Sequence, residues 1–151
     1  MNILFVCSGN TCRSCMAEVI FNNICDIDGV KASSAGISVF PGNKTSLNCA
    51  LVVNENLNVD ISDRKAVQLN PFMIEKVDIV LTMTGYISDV LRDTNETYAN
   101  KIYSLGEYIE SNADIIDPYG GSIEMYRKTF VELKRSLEIL IRKLKEDKGI
   151  K

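Results

Sequence analysis

Residues 6–18, VCSGNTCRSCMAE, decide both the fold and the chemistry of this chain. They follow a short apolar run, Asn2 to Val6, which is typical of a buried parallel strand. An apolar stripe at helical spacing comes after them and predicts a helix that begins at Arg13 or Ser14 and ends by Gly29. A Ser-Gly-Asn turn separates the two. The stretch therefore predicts a strand, a loop and a helix in direct succession.

The rest of the chain continues this alternation of strands and helices. Branched apolar residues predict a strong strand over Asp78 to Thr84, and weaker patterns predict strands at Val30 to Ser34 and at Lys101 to Leu105. A helix is predicted near Ser46 to Asn56. Apolar residues that recur every three to four positions from Ile123 to Leu144 predict one long amphipathic helix. Strands that alternate with helices indicate a parallel α/β sheet with right-handed crossovers.

The composition is that of an ordinary soluble globular protein. The 151 residues fit one domain, 1–151, with 46% hydrophobic and 25% charged residues. No apolar run approaches the roughly 20 residues that span a bilayer, and the first residues lack the basic region and cleavage site of a signal peptide. We therefore expect a cytoplasmic protein without membrane attachment. A formal charge of −3 argues against binding to nucleic acid.

The chain has five cysteines and no histidine. The missing histidine excludes Ser-His-Asp and Cys-His catalysis and Cys2His2 zinc sites. An odd number of thiols in a cytoplasmic protein favours a catalytic or metal-binding cluster over a disulfide framework. Cys7, Cys12 and Cys15 either bind zinc or an iron–sulfur cluster, with the spacing of plant-type ferredoxin ligands, or surround an oxyanion beside a nucleophilic Cys7. Cys25 and Cys49 lie on apolar helical faces and are predicted to be inert core residues.

The loop from Cys7 to Arg13 has the features of an oxyanion site. Its backbone N–H groups can surround one point if Gly9 adopts the positive φ that such a nest needs. The N-terminus of the following helix adds partial positive charge, and Arg13 can make a bidentate contact with phosphate oxygens. Helix N-termini and neighbouring cations lower the pKa of cysteine thiols, so Cys7 is expected to be a thiolate without a histidine beside it.

An acid for the leaving group is available far along the chain, at Asp117 in the segment IIDPYGGS. The composition of this segment is that of a turn, which an aspartate commonly initiates. Together with Cys7 and Arg13, Asp117 would complete a set of nucleophile, phosphoryl clamp and general acid, the three groups that phosphoryl transfer to a cysteine requires.

These segments resemble the low-molecular-weight protein tyrosine phosphatases. The resemblance rests on Cys7-Ser8-Gly9-Asn10-Thr11-Cys12-Arg13-Ser14 after the first strand and on Asp117-Pro118 about 110 residues later, and it covers essentially the whole chain. It implies an α/β fold with a single three-layer domain, in which helices flank a four-stranded parallel sheet and the phosphate-binding loop follows strand 1.

The resemblance also implies roles for the matching residues. Cys7 would form a phosphocysteine, Arg13 would bind the phosphoryl group, and Asp117 would protonate the leaving group and then activate water. Asn10 and Ser14 are counted among the substrate-binding residues and would also hold the loop in shape and support the thiolate. Ser8, Gly9, Thr11 and Cys12 of the same loop are further substrate-binding residues, and Ser34 matches a serine in the layer behind them. We also expect Phe40 and Tyr119 to bind substrate. No metal or other cofactor is implied; the partners would be phosphorylated proteins, and we expect a monomer.

Thr11 bears on the choice between two branches of the family. Tyrosine-directed members usually carry a larger apolar residue there, whereas the bacterial protein-arginine phosphatases carry threonine and also resemble the segment DPYGGSIEMY at 117–126. A hydroxyl can hydrogen-bond a guanidinium or the attacking water, while a bulkier apolar side chain favours a phenyl ring. We therefore expect a preference for phosphoarginine, with phosphotyrosine as the alternative, unless Thr11 is only a β-branched loop residue. Phe40 and Tyr119 would flank the cleft, although Phe40 fits the core equally well.

Cys15 departs from the family, which usually has proline after the Arg-Ser pair. Cys12 is the usual redox partner in the family, so peroxide is expected to inactivate the enzyme reversibly through a Cys7–Cys12 disulfide. Two further alternatives share the loop. A thioredoxin-coupled arsenate reductase needs two more cysteines, which Thr82 to Asp89 lacks, and a non-catalytic phosphate-binding module needs neither Cys7 nor Asp117.

Overall fold

The helices and strands are those of a computed structural model that describes residues 1–147. The strands are β1 (Asn2–Cys7), β2 (Lys31–Gly36), β3 (Ile79–Thr82) and β4 (Ile102–Ser104). The helices are α1 (Arg13–Ile24), α2 (Leu47–Leu57), α3 (Pro71–Lys76), α4 (Gly85–Thr94), α5 (Leu105–Tyr108) and α6 (Ile123–Asp147), and a 3-10 helix covers Glu96–Lys101. Within the described range no helix combines the length and the apolar composition that a membrane-spanning segment needs.

The four strands form one parallel sheet in the order β2-β1-β3-β4. Val6 of β1 pairs with Ala35 on one side and with Thr82 on the other, so the carboxyl ends of these strands meet at one edge. The chain steps outward from β1 in both directions, and the crevice at such a switch point is where α/β sheets bind ligands. The predicted four-stranded parallel sheet flanked by helices is confirmed, and the Cys7 loop lies at this crevice.

Helical layers cover both faces of the sheet. Ile3 and Phe5 of β1 belong to the core that includes buried residues of α1, α2 and α6. Leu4 and Val6 face the opposite way, into a smaller core with buried residues of α3 and α4. Burial on both faces explains why β1 reads as a continuous apolar run rather than as an alternation of polar and apolar residues.

Some boundaries differ from the sequence predictions. The strand predicted over Asp78 to Thr84 ends at Thr82, because Thr84 is the N-cap of α4 and its hydroxyl accepts a hydrogen bond from the Ile87 N–H. Cys25 does not lie on a helical face as predicted: it follows α1 as the C-cap and is partly exposed, so it packs against the edge of the core and not inside it. Cys49 lies within α2 and is fully buried, as predicted.

Candidate active site

The loop between β1 and α1 curls around the thiol of Cys7. Its left-handed residue is Asn10, with φ 55°, and Gly9 is not among the residues of positive φ, so the prediction for Gly9 is wrong. Asparagine tolerates this conformation better than most residues do. The turn directs the Asn10 N–H toward Cys7 Sγ, to which it donates at 3.3 Å.

Cys7 lies at the end of β1 and is 3% exposed. Its Sγ forms a hydrogen bond of 2.8 Å with Ser14 Oγ on the first turn of α1. Burial raises the pKa of the Cys7 thiol above its ordinary value, while the hydrogen bonds with Ser14 and Asn10 and the charge of Arg13 oppose that rise. The expected net lowering of the pKa is therefore wrong, because removal from water outweighs these contacts.

Asn10 is the hub that holds the loop in shape. Its amide Nδ2 donates to Ser14 Oγ at 2.8 Å and to Ser34 Oγ at 3.0 Å. Its Oδ1 accepts from the Val67 N–H at 2.9 Å and from Arg64 Nη1 at 3.1 Å. The side chain is fully buried with every polar atom paired. These contacts fix the left-handed turn and bring Asn10, Ser14 and Ser34 together.

Arg64 and Glu18 complete this network and were not singled out in the sequence. Arg64 Nη2 donates to Ser34 Oγ at 2.7 Å and to Glu18 Oε1 at 3.1 Å, and Ser34 Oγ donates to the same carboxylate at 2.8 Å. Both charged side chains are largely buried, with 18% and 22% exposed. Glu18 is the last residue of the stretch 6–18 that predicts the first strand, loop and helix. Arg64 lies between Asp63 and Lys65 in an ordinary polar loop, and only the fold brings Arg64 to Asn10.

Gly36, the last residue of β2, lets the loop pack directly on the sheet edge. A Cβ at this position would lie 2.6 Å from the carbonyl oxygen of Ser8 and 2.9 Å from the backbone nitrogen of Asn10. The backbone continues the contact, because the Ile37 N–H donates to Cys7 O and the Ser38 N–H donates to Ser8 O. Only glycine allows this approach.

Arg13 and Asp117 meet across the mouth of the loop. Arg13, the first residue of α1, is 6% exposed, and its Nη1 donates to the Ile115 carbonyl at 3.1 Å. Its Nη2 lies 3.6 Å from Asp117 Oδ2, and the Asp117 side chain is 51% exposed. Asp117 Oδ1 accepts from the Tyr119 N–H at 3.0 Å, which is the turn that the composition predicted.

These groups border a cavity of about 320 Å³. The residues that line it are Cys7, Ser8, Gly9, Asn10, Thr11, Cys12, Arg13, Ser38, Phe40, Asn43, Asp117 and Tyr119. Phe40 and Tyr119 stand on its rim with 76% and 78% of their surface exposed, so Phe40 is a wall of the cleft and not a core residue. Ser14 was predicted to bind substrate, but it is fully buried behind the thiol and does not line the cavity. Ser38 and Asn43 were not predicted.

The five thiols do not converge on one point. Cys7 faces the cavity, whereas Cys15 Sγ donates to the Cys12 carbonyl and lies beside Cys49 on the other side of the loop. Among residues 1–147 no three cysteine or carboxylate side chains are arranged to hold a metal ion. This geometry weakens the interpretation of Cys7, Cys12 and Cys15 as joint metal ligands.

Comparison with known proteins shows that this chain is similar to low molecular weight phosphatases along nearly its whole length. The family model of low molecular weight phosphotyrosine protein phosphatases matches residues 2–149. A protein-arginine-phosphatase of Bacillus subtilis is 35% identical, over 98% of this chain and 99% of that protein. The low molecular weight protein-tyrosine-phosphatase PtpB of Staphylococcus aureus is also 35% identical, over 97% of this chain and 98% of that protein. A solved structure of the YwlE arginine phosphatase, a mutant with a phosphorylated active site serine, is similar with a TM-score of 0.91 and 34% identity, covering 100% of both chains.

The family model and both relatives extend over nearly the entire chain, including the β1–α1 loop and the segment around Asp117. The chain therefore belongs to the low-molecular-weight phosphotyrosine protein phosphatase family.

Proposed function

We propose that this protein is a cysteine-dependent protein phosphatase that works through a phosphocysteine on Cys7. The observation that carries the proposal is the meeting of three groups in one cavity. Cys7 lies at the loop, while the guanidinium of Arg13 and the carboxylate of Asp117 approach to 3.6 Å at its mouth. A nucleophile, a cation that fits phosphoryl oxygens and a group that can carry a proton are the parts that such a reaction needs.

In the first step the phosphoryl group is bound by the loop N–H groups and by Arg13, whose fork-shaped guanidinium matches two oxygens at once. Cys7 attacks phosphorus as a thiolate, which Ser14 Oγ and the Asn10 N–H stabilise. The sulfur–phosphorus bond forms, and the bond to the leaving nitrogen or oxygen breaks. Asp117 supplies the proton to the leaving atom, since it is half-exposed at the mouth where that group must depart.

In the second step Asp117 acts as a general base instead of a general acid. As a carboxylate it removes a proton from water, the water oxygen attacks phosphorus, and the sulfur–phosphorus bond breaks to release inorganic phosphate. The backbone of Tyr119 holds Asp117 Oδ1, which leaves Oδ2 for these proton transfers. The related structure with a phosphorylated active site serine supports a phosphoenzyme at this position of the family.

The substrate that we propose is phosphoarginine on proteins. Thr11 lines the cavity, and among residues 1–147 no side-chain hydrogen bond occupies its hydroxyl, so it is available to a guanidinium nitrogen or to the attacking water. The relatives named protein-arginine-phosphatase support the same choice. Phosphotyrosine is the second candidate, because the exposed rings of Phe40 and Tyr119 can pack on a phenyl ring and PtpB relatives are named tyrosine phosphatases.

We also infer that the protein acts as a monomer in the cytoplasm. A single chain supplies every residue that lines the cavity, and the chemistry requires a free thiol at Cys7, which a reducing compartment preserves. Sedimentation at micromolar concentration would contradict the first inference if the active species were a dimer.

The decisive experiment compares the hydrolysis of a phosphoarginine peptide and a phosphotyrosine peptide by wild type, Thr11→Ile and Cys7→Ser. We expect wild type to have the higher kcat/KM for phosphoarginine, Thr11→Ile to reverse the order, and Cys7→Ser to hydrolyse neither. A preference for phosphotyrosine in both wild type and Thr11→Ile would make the protein a tyrosine phosphatase. Phosphate binding without turnover by wild type would indicate a non-catalytic module.

A further inference from the structure

Two thiols that the proposed reaction does not use lie in contact behind the active-site loop. Cys15 of α1 and Cys49 of α2 are both fully buried, and their sulfur atoms are 3.9 Å apart. Both thiols point toward one acceptor: Cys15 Sγ donates to the Cys12 carbonyl at 3.1 Å, and Cys49 Sγ donates to it at 3.8 Å. The pair is therefore anchored at Cys12.

Cys12 connects this buried pair to the cavity. It is the N-cap of α1 and lines the cavity together with Cys7. Its backbone carbonyl accepts from Cys15 and Cys49, and its side chain is close enough to Cys49 to raise the pKa of that thiol. Cys12 and Cys15 also form a Cys-x-x-Cys pair at a helix N-terminus, an arrangement in which cysteine thiolates are stabilised. The Cys15–Cys49 pair therefore packs directly behind Cys12, and Cys12 separates it from the cavity that Cys7 lines.

We propose that Cys15 and Cys49 are an internal reductant for the active site, to which an oxidised Cys7–Cys12 pair passes its disulfide. The inference rests on the proposed function, since it assumes that Cys7 is the reactive thiol of the cavity. A hydroperoxide is the oxidant: it converts the Cys7 thiolate to a sulfenic acid, and Cys12 displaces water from that sulfur to form the Cys7–Cys12 disulfide.

The transfer is a pair of thiol–disulfide exchanges. Cys49 attacks Cys12 Sγ, so the Cys7–Cys12 bond breaks and Cys7 leaves as a thiolate. Cys15 then attacks Cys49 Sγ, so the Cys12–Cys49 bond breaks and the Cys15–Cys49 disulfide forms. Two electrons move from the buried pair to Cys7 and Cys12, which take up the two thiol protons. The net result is a reduced, active Cys7 and a disulfide stored in the core.

Geometry explains why the buried pair is oxidised through Cys12 and not directly. Neither Cys15 nor Cys49 lines the cavity, and neither exposes any surface to a dissolved peroxide. Hydrogen bonding with Cys12 and Cys15 raises the pKa of the Cys49 thiol, so Cys49 gives up its proton only as it attacks, and the departing Cys7 thiolate takes that proton up. The two sulfur atoms need to move about 2 Å closer to reach disulfide length, a shift that side-chain rotation on facing helices can supply.

The test uses the full-length protein exposed to one equivalent of hydrogen peroxide, with free thiols then alkylated and disulfides mapped by mass spectrometry. We expect a Cys15–Cys49 disulfide in wild type. After the peroxide is removed, hydrolysis of para-nitrophenyl phosphate should return without added thiol. In Cys49→Ala the disulfide should remain at Cys7–Cys12 and activity should return only with dithiothreitol. In Cys15→Pro, whose proline is tolerated in a first helical turn, the exchange should stop at a Cys12–Cys49 disulfide.

Cys25→Ala is the matched control, because this cysteine is not one of the four thiols of the proposed relay and should leave the wild-type pattern unchanged. Wild type that hydrolyses the phosphate ester normally but keeps the Cys7–Cys12 disulfide, with Cys15 and Cys49 alkylated, would overturn the relay alone. A protein that never hydrolyses the ester would overturn the proposed function. The disulfide map would still show whether the disulfide passes from Cys7–Cys12 to Cys15–Cys49.

Discussion

Replacing Ser14 with alanine tests how the protein stabilises the thiolate of Cys7. The two side chains hydrogen-bond at 2.8 Å, and both are buried. Among the influences that lower the pKa of Cys7 against the effect of burial, the hydroxyl of Ser14 is the largest. We expect Ser14→Ala to raise the pKa further, because the charged sulfur loses a donor in a place that water does not reach.

The magnitude follows from the energy of that contact. A hydrogen bond to a charged group contributes about 1.5–3 kcal/mol, and one pKa unit corresponds to about 1.4 kcal/mol. Loss of the Ser14 hydroxyl should therefore raise the pKa of Cys7 further. Since Cys7 is charged only when it is deprotonated, the thiolate fraction at neutral pH and the rate of attack on phosphorus should fall roughly 10- to 100-fold.

The assay is the rate of inactivation by iodoacetamide as a function of pH, because only the thiolate reacts. Ser34→Ala is the matched control: Ser34 Oγ accepts from the same Asn10 amide, at 3.0 Å, but is not bonded to Cys7. We expect the midpoint of the profile to move to higher pH in Ser14→Ala and much less in Ser34→Ala. An unchanged pH midpoint in Ser14→Ala would refute the role of the hydroxyl in stabilising the Cys7 thiolate. Equal shifts of the midpoint in both variants would mean that the shape of the loop matters more than the hydrogen bond between Ser14 and Cys7.

Three other substitutions test the rest of the site. Asp117→Asn should lower kcat about 10²- to 10⁴-fold for a phosphotyrosine peptide. The loss should be much smaller for dinitrophenyl phosphate, whose leaving group needs no proton. Equal losses for the two substrates would argue against a general acid. Gly36→Ala places a Cβ 2.6 Å from a loop carbonyl oxygen. The free energy of unfolding in urea should therefore fall by about 1–3 kcal/mol, and phosphatase activity should fall with it. An unchanged urea midpoint would contradict the tight packing. Arg64→Met leaves Glu18 without its cationic partner and should lower the free energy of unfolding by about 1–3 kcal/mol, while kcat also falls. Normal values of both would show that this network does not support the loop.

Features that depend on neighbours along the chain could be predicted from the sequence. The continuous apolar run of β1 and the helical spacing of apolar residues in α6 both indicate burial, and the turn at Asp117 follows from its composition. Cys7 and Arg13 share one short loop, so their convergence is a local property. That Asp117 reaches them across the sheet came from the family resemblance, and the 3.6 Å approach to Arg13 agrees with it.

Features that depend on distant packing could not be predicted. Asn10 takes the left-handed conformation in place of Gly9 because its amide is held by Arg64 and Val67, 54 and 57 positions away. The sign of the pKa shift at Cys7 depends on how completely the loop excludes water, and a sequence shows the charges near a thiol but not its depth. A phenylalanine such as Phe40 looks the same in the sequence whether it lies in the core or at the rim of a cleft. Only the fold shows that its side chain is exposed.

The most direct test of the proposed chemistry is the mass of the Cys7 peptide after wild-type protein is mixed with a phosphoarginine peptide and quenched in acid during turnover. A nucleophilic Cys7 predicts a peptide heavier by one phosphoryl group, absent when no substrate is added and lost when turnover is complete. Release of the unphosphorylated peptide and phosphate with Cys7 unmodified at every time point would contradict the mechanism, because it would mean that water attacks phosphorus directly.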